Sequence, residues 1–380
     1  MKICFWGNIA GALKGHTDGG GELQIALLAK ALAKGGHDIV IIDFQINEDF
    51  ITSDGIKVLR INGWNKGIRV LRTFTHRLPQ LYNSLKAQKA DIYYCRIRDF
   101  RHILAFWAAR KVNAKLILSM ASDLDTMNPL MRFKYGQLVS SGDLWSFSSG
   151  IMIEIVYPWL LRKADLVLVQ HEGQKEILLK KNIISVVFPN LIDLTQMPVV
   201  KNPVHNDFIY VGSLDKRKGF AEFFEVVNKA PSHSFKVVGQ PRGDTGYLYY
   251  EKLKSFKNVT LLGRLSHYDT MYNIANSKAL ISTSRMEGFP NVFIEAWACG
   301  IPVFSLYVDP GSCIVKEKLG ELTNGDMDKL LQVMENSENT NEFSDRAKAY
   351  VEDNHVLNAK RIDEITSLFC GLSKDAKSKK

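Results

Sequence analysis

Short runs rich in β-branched and aromatic residues alternate with helix-patterned segments along the whole 380-residue chain. That alternation narrows the fold more than any other feature. Parallel strands need long crossover connections, and the helices that make them bury an apolar stripe on the sheet, so both faces become covered. In the first half the strand candidates are Lys2 to Gly7, Asp38 to Asp43, Ile56 to Ile61, Asp91 to Arg96, Lys115 to Met120, Asp165 to Gln170 and Ser185 to Asn190. In the second half they are Asp207 to Ser213, Ser234 to Gln240, Asn258 to Arg264, Lys278 to Ser284 and Pro302 to Leu306. The predicted fold class is α/β, with two doubly wound units. The length agrees, being too great for one ordinary core and too small for three. Met197 to Asp207, with Pro198, Asn202, Pro203 and Asn206, suits a junction. The expected domains are therefore 1–197 and 198–380. A last helical stretch, about 355–372, could pack back on the N-terminal domain, its pattern leaving the docking face open. Asn128 to Ser149 fits neither period and is expected to be a mobile insertion.

Five widely spaced cysteines, Cys4, Cys95, Cys299, Cys313 and Cys370, suit thiols in a reducing compartment rather than a disulfide framework. The opening MKICFWGNIAGA is broken by Gly7 and Asn8 and reads as a first strand rather than a signal peptide. No stretch reaches the ~18 apolar residues of a spanning helix, so a soluble or peripheral cytoplasmic protein is expected. The formal net charge of +9 calls for an anionic partner. Nucleic acid is not expected, because aromatics and cations are not interleaved on a recognisable module.

The densest signal is Ser284 to Val303, SRMEGFPNVFIEAWACGIPV. A strand ends, a loop carries Glu287 and Gly288, a helix opens near Pro290 and stops at Gly300. Such a turn directs the backbone N–H groups of Phe289, Asn291 and Val292, with the positive end of the helix dipole, toward the carboxyl edge of the sheet. A pyrophosphate is the expected guest. Glu295 stands beside that helix start and Glu287 in the loop ahead of it, acceptors suited to ribose and sugar hydroxyls. Outside this context an E-x7-E pair would be a solvated loop residue and an ordinary first-turn glutamate.

Upstream, YVGSLDKRKGF (Tyr210 to Phe220) runs a strand into a loop with three cations. Lys218, and second Arg217, could neutralise a diphosphate leaving group. A plain basic surface loop explains the same residues equally well. HTDGGGE (His16 to Glu22) is Gly-rich but is not the G-x-G-x-x-G of a dinucleotide site, which argues against a dehydrogenase.

Together with PNLID (Pro189 to Asp193), these motifs resemble the retaining glycosyltransferases of family 4, over nearly the whole chain. The resemblance implies the GT-B fold, two Rossmann-like domains facing across a cleft. It implies a nucleotide-sugar donor, UDP- or GDP-linked, on the C-terminal domain and a lipid-linked or saccharide acceptor on the N-terminal one. Surface polysaccharide or glycolipid synthesis is the implied setting, with retention of configuration and no cofactor. Glu287 and Lys218 would act catalytically, Glu287 on the donor sugar, Glu295 on the ribose and Lys218 on the diphosphate. The donor set also includes Gly20, Gly212, Ser213, Arg217, Gly239, Arg264, Leu265, Gly288, Phe289, Pro290, Asn291 and Val292. Two departures stand out: Ser213 occupies the place of a frequent arginine, and ASDLD replaces a frequent histidine after the strand ending at Met120. Asp123 is assigned part of that histidine's role, with Asp125 as the alternative.

The D-x-D of ASDLD could hold a divalent metal, or its carboxylates could cap a helix. With cations and a helix terminus already present, a metal-independent site is preferred. Asn62 to Lys89 has apolar residues at helical spacing among Lys66, Arg69, Arg72, His76, Arg77, Lys86 and Lys89, with a break expected near Pro79. It fits a helix on an anionic membrane surface and equally one packed on the domain's own sheet; the resemblance tilts the choice to the membrane. The rival function is a nucleotide-sugar-modifying enzyme or a non-catalytic nucleotide-sugar binding module on the same scaffold. Such a module would have no need of Glu287.

Overall fold

The strands form two sheets. In the computed structural model, which describes residues 1–15, 19–68, 71–128, 144–198, 206–337 and 341–377, the first sheet contains β1 (Lys2–Trp6), β2 (Asp38–Asp43), β3 (Phe50–Ile51), β4 (Lys57–Arg60), β5 (Ile92–Arg96), β6 (Lys115–Ser119), β7 (Leu166–Val169) and β8 (Ser185–Val187). Their order is β3-β4-β2-β1-β5-β6-β7-β8, with only the two-residue β3 antiparallel to its neighbour. The second sheet is wholly parallel and has the order β11-β10-β9-β12-β13-β14. It is built from β9 (Asp207–Val211), β10 (Ser234–Val238), β11 (Val259–Gly263), β12 (Ser277–Ser282), β13 (Val303–Ser305) and β14 (Gly320–Leu322).

Central strands such as DIVIID, KLILS and LVLV are near-continuous apolar runs because helices cover both of their faces. On one face of the first sheet Tyr93, Leu116 and Leu118 meet Leu81, Leu85 and Leu160; on the other Phe5, Ile41 and Tyr94 meet Leu28 and Leu32 of the helix Gly20–Lys34. In the second sheet Phe208 and Phe235 lie on one face, and Ile209 with the fully buried Trp297 on the other. The Trp297 indole donates to the Leu319 carbonyl at 2.8 Å, so its burial leaves no unmet polar group.

The chain divides into Met1–Leu191 with Leu357–Lys380, and Ile192–Val356. The division falls before the proline-containing segment because Ile192 donates to His355 O at 2.9 Å, and Leu194 and Met197 pack on the second core. The segment 192–197 thus lies with the second unit rather than the first. The C-terminal helix Ala359–Lys377 belongs to the N-terminal unit, where Ile365 and Phe369 are buried against the core of the first sheet.

Residues 62–89 do not form one amphipathic helix. A π turn, Thr73–Arg77, runs without a break into the helix Leu78–Ala87, and Pro79 follows directly on that turn, where the local π geometry accommodates a residue with no amide to donate. Leu81 and Leu85 are fully buried, whereas Ile68, Leu71 and Phe74 are exposed by 71%, 53% and 55%, so the apolar stripe splits in two. Of the expected insertion, 129–143 lies outside the described residues, and Leu144–Lys163 is a helix. No helix among the described residues is long and apolar enough to cross a membrane. Cys4, Cys95 and Cys313 are buried free thiols, and Cys299 and Cys370 are partly exposed.

Candidate functional site

In the second sheet the strand order reverses between β9 and β12. Doubly wound sheets take ligands in the crevice at such a point, outside the carboxyl ends of the strands. The loops that leave β9 and β12 are the two singled out in the sequence.

The β9 loop is held by its own short polar side chains. Ser213 Oγ donates to Asp215 Oδ2 at 2.7 Å, and Lys218 N donates to Asp215 Oδ1 at 3.0 Å. Asp215 thereby folds the loop back on itself, as Asx residues do in turns. Tyr210 OH, from β9, lies 3.4 Å from Ser213 O and 3.3 Å from Lys218 O. From the end of β12, Thr283 Oγ1 reaches Gly219 O at 2.8 Å and Lys218 O at 3.2 Å. Gly219 caps the helix Phe220–Lys229 in the left-handed conformation (φ +67°), and a Cβ there would fall 2.0 Å from Thr283 O. Only glycine lets the two loops approach this closely.

Across the reversal, Lys218 Nζ meets Glu287 Oε1 at 2.5 Å, with 24% and 18% of the two side chains exposed. Beyond Glu287, Gly288 and Phe289 are buried, and Pro290 precedes the helix Asn291–Ala298 as its N-cap rather than its first residue. The Phe289 ring packs on Trp297 and His355, so any ligand contact from this residue would come from its backbone. Val292 is partly buried in the first turn. Glu295, one turn further, is 8% exposed and accepts from His267 Nε2 at 3.1 Å. That hydrogen bond raises the His267 pKa above its ordinary 6.5, against the opposing effect of burial. The cluster therefore places a cation, two carboxylates and a helix N-terminus along one sheet edge. A diphosphate attached to hydroxyl-bearing groups matches that set of partners.

The remaining expected donor residues distribute as follows. Gly212 follows β9, and Gly239 follows β10 so close to it that a Cβ on Gly239 would lie 1.9 Å from Gly212 O. Arg264 and Leu265 follow β11 on the same edge. The Arg217 guanidinium is half exposed, 3.9 Å from Asp215. Lys218 is the loop cation that reaches Glu287. Gly20 opens the helix Gly20–Lys34 in the N-terminal unit, away from this loop pair in the sequence and in the other unit of the structure.

Asp123, also in the N-terminal unit, accepts from His171 Nε2 at 2.9 Å and Gln174 Nε2 at 2.8 Å. Asp125 accepts from Ala121 N at 2.8 Å and Ser122 N at 3.2 Å, while Ser122 Oγ accepts from Leu124 N. The capping residue is therefore Ser122, with Asp125 completing a capping box, and burial pushes the Asp125 carboxyl up. Sequence reasoning passed over Asp215, Thr283, His267 and His171. Asp215 was visible as an Asx residue three positions before Lys218; His267 follows Ser266, which caps the helix His267–Ala275. Nothing in the sequence paired His171 with Asp123.

Residues 196–350 match the family model described as glycosyl transferases group 1. A Haemophilus influenzae protein described as an uncharacterized glycosyltransferase is 24% identical over 318 residues, 81% of each chain. Sucrose-phosphate synthase from Thermosynechococcus elongatus shares the fold with a TM-score of 0.74 at 16% identity, over 100% of both chains. HepE of Anabaena, solved in complex with UDP and glucose, does so at 0.70 and 15% identity, over 99% of this chain and 100% of that one. The fold is GT-B. The family-model match supports a glycosyltransferase, and the matched span 196–350 holds Lys218, Glu287 and Glu295 together.

Proposed function

We propose that the chain is a retaining, metal-independent glycosyltransferase of family 4. It moves a hexose from a UDP- or GDP-linked donor to a lipid-linked or saccharide acceptor in surface polysaccharide or glycolipid synthesis. The observation that carries this reading is the Lys218–Glu287 contact at the strand-order reversal, beside the helix opening at Pro290. HepE's complex with UDP and glucose supports a UDP-linked donor.

With no donor, Lys218 and Glu287 neutralise each other. An arriving diphosphate competes for the ammonium, which releases Glu287 to accept from hydroxyls of the donor sugar. As the glycosidic bond breaks, charge grows on the departing diphosphate, where Lys218 and the helix terminus already stand, and no proton transfer is required of them. Glu295, fixed by His267, holds the ribose hydroxyls. The acceptor hydroxyl attacks on the face the leaving group vacates and gives its proton to the departing diphosphate oxygen, which gives retention. In the N-terminal unit Asp123, held by His171 and Gln174, is the proposed contact in place of the family's histidine.

Thermal-shift titration of UDP- and GDP-sugars tests the donor site: a sugar nucleotide should raise the unfolding temperature of wild type and do so much less in Glu295→Ala. No shift with either nucleotide class would reject the reading. An inverted product by NMR would reject retention, and activity abolished by a chelator would reject metal independence. A nucleotide-sugar-binding module without catalysis would bind the donor yet never turn over with any acceptor. The exposed Ile68, Leu71 and Phe74 next to Arg72 and Arg77 support a peripheral place on the cytoplasmic membrane face; failure to sediment with anionic vesicles at low salt would remove that part.

A further inference from the structure

The first sheet also reverses its strand order, between β1 and β5. At the carboxyl ends of those two strands lies a cavity of about 160 Å³ whose polar lining is Thr73, Arg77, Asp99, Arg101 and Ser149. It is far smaller than the ~300–1,000 Å³ of a site for a whole small molecule, and it is large enough for a single charged group.

Arg101 is fixed before any ligand arrives. Its guanidinium lies 5.1 Å from the centre of the Trp6 ring, which ends β1, and 5.8 and 5.9 Å from those of Phe44 and Trp64. Asp99 accepts from Arg101 Nε through both carboxylate oxygens, and also from Nη2. Arg77 Nε donates to Trp64 O at 3.2 Å and Nη2 to Asn65 Oδ1 at 3.2 Å. Neither Nη1 group has a hydrogen-bond partner among the described residues, and no carboxylate there pairs with Arg77 or Arg72. The lining thus carries two guanidiniums against one carboxylate, Asp99. Glu154, on the helix that supplies Ser149, is already held by Arg98 at 2.8 Å. Burial first, then repulsion from Arg72 and Arg101, lower the Arg77 pKa, a penalty that a bound anion would relieve.

We infer that this cavity binds the phosphate group of the acceptor, an inference that rests on the glycosyltransferase reading of the other unit. Within the lining the two guanidiniums exceed Asp99 by one charge (2 − 1 = 1), and Arg72, whose repulsion reaches Arg77 from outside the lining, adds to the positive field that a phosphate monoester of ≈ −1.5 to −2 would meet. Planar guanidinium forks are the side chains best shaped for phosphate oxygens. Phe100 and Ile153 supply the apolar part of the lining. Outside it, Leu71 and Phe74 of the Arg77 segment, and Ile151 and Ile155 of the Ser149 helix, are exposed. A phosphate carried on an apolar chain fits that rim; a phosphorylated sugar free in solution shares the same anionic chemistry.

Calorimetric titration of the full chain with monomeric dodecyl phosphate, with glucose 1-phosphate and with the uncharged dodecyl maltoside tests the inference. Dodecyl phosphate should bind and the maltoside should not. Arg77→Ala should weaken phosphate binding by about tenfold or more, the loss expected of one charge-assisted contact. Since Arg77 also anchors Trp64 and Asn65, Ser149→Glu is the second variant: it brings a negative charge to the cavity wall from another element and should weaken binding similarly. UDP and GDP affinity should stay at wild-type level in both variants. If dodecyl phosphate binds at least about tenfold tighter than glucose 1-phosphate, and Phe74→Ser removes only that excess, the phosphate is lipid-borne; equal binding of the two supports the soluble source. Wild type that binds UDP or GDP but neither phosphate compound would overturn the inference alone, as would phosphate binding indifferent to both variants. Wild type that binds phosphate but no nucleotide would instead reject the donor site and leave the cavity intact.

Discussion

Gly219→Ala probes the closest approach between the two loops of the candidate site. A methyl group at this position would stand 2.0 Å from the Thr283 carbonyl oxygen, 1.4 Å inside the 3.4 Å at which ordinary contact begins (3.4 − 2.0 = 1.4). The obstacle is backbone at the end of β12, so no side-chain rotation relieves it. Either loop must move by about an ångström, and Thr283 Oγ1 then loses its reach to Gly219 O and Lys218 O. A left-handed alanine costs about 1–2 kcal/mol, and each lost hydrogen bond about 1 kcal/mol. The restricted unfolded chain returns roughly 0.4–1 kcal/mol. The net is about 2–4 kcal/mol. Gly243 supplies the control: its φ is +64° in the same unit, and nothing lies within 4 Å of its added Cβ. Gly243→Ala should therefore cost only the conformational part, about 1 kcal/mol or less. At roughly 2–4 °C per kcal/mol for a unit of this size, scanning calorimetry should separate the two variants by several degrees. Gly219→Ala should also bind UDP-sugar more weakly than Gly243→Ala, because Lys218 moves with the loop. Equal melting temperatures, or an unchanged nucleotide affinity in Gly219→Ala, would refute the claim that this contact sets the position of Lys218.

Lys218→Met should lower kcat by about 10²–10³, the scale for losing one electrostatic partner of a developing charge, while the unfolding temperature changes little; transfer kinetics with wild-type kcat would exclude its proposed role. His267→Gln tests the pH dependence of the Glu295 contact. Because the His267 pKa is raised in the folded state, its stabilisation is complete below the ordinary 6.5 and disappears as pH rises through the raised value. The stability difference between wild type and His267→Gln, measured by urea unfolding, should therefore be largest near pH 5–6 and shrink above, and a difference that grows with pH would contradict the hydrogen-bond assignment. Phe369→Ala empties a fully buried position where the C-terminal helix meets the first core and should destabilise the N-terminal unit by about 3–5 kcal/mol; a change below about 1 kcal/mol would mean that the helix contributes little there.

All twelve strands of five or more residues expected from pattern are present, because each is an apolar, β-branched run long enough to show itself against its polar flanks. The two missed strands are short: Phe50–Ile51 pairs as a two-residue antiparallel edge, and Gly320–Leu322 holds one apolar residue in three. Neither has a period to detect. The helix expected over 62–89 failed for a related reason, since apolar spacing alone cannot tell Leu81 and Leu85, which reach the core, from Ile68, Leu71 and Phe74, which do not.

Local order along the chain was enough to mark the two loops of the candidate site, because phosphate-binding turns draw their glycine, proline and charged residues from contiguous stretches. Contacts between distant residues were not legible in this way. Lys218 and Glu287 are 69 positions apart, Glu295 and His267 28, and Asp123 and His171 48. Lys218 meets Glu287, and Asp123 meets His171, because strands remote in sequence are neighbours in a sheet, β9 beside β12 and β6 beside β7, whereas Glu295 meets His267 where the helices Asn291–Ala298 and His267–Ala275 pack on each other. Arg101 and Trp6 likewise come together where β1 lies beside β5. A one-dimensional pattern records what a segment will become and which groups it carries, whereas strand order, set by the burial of whole sheets under their helices, selects which of those groups face each other.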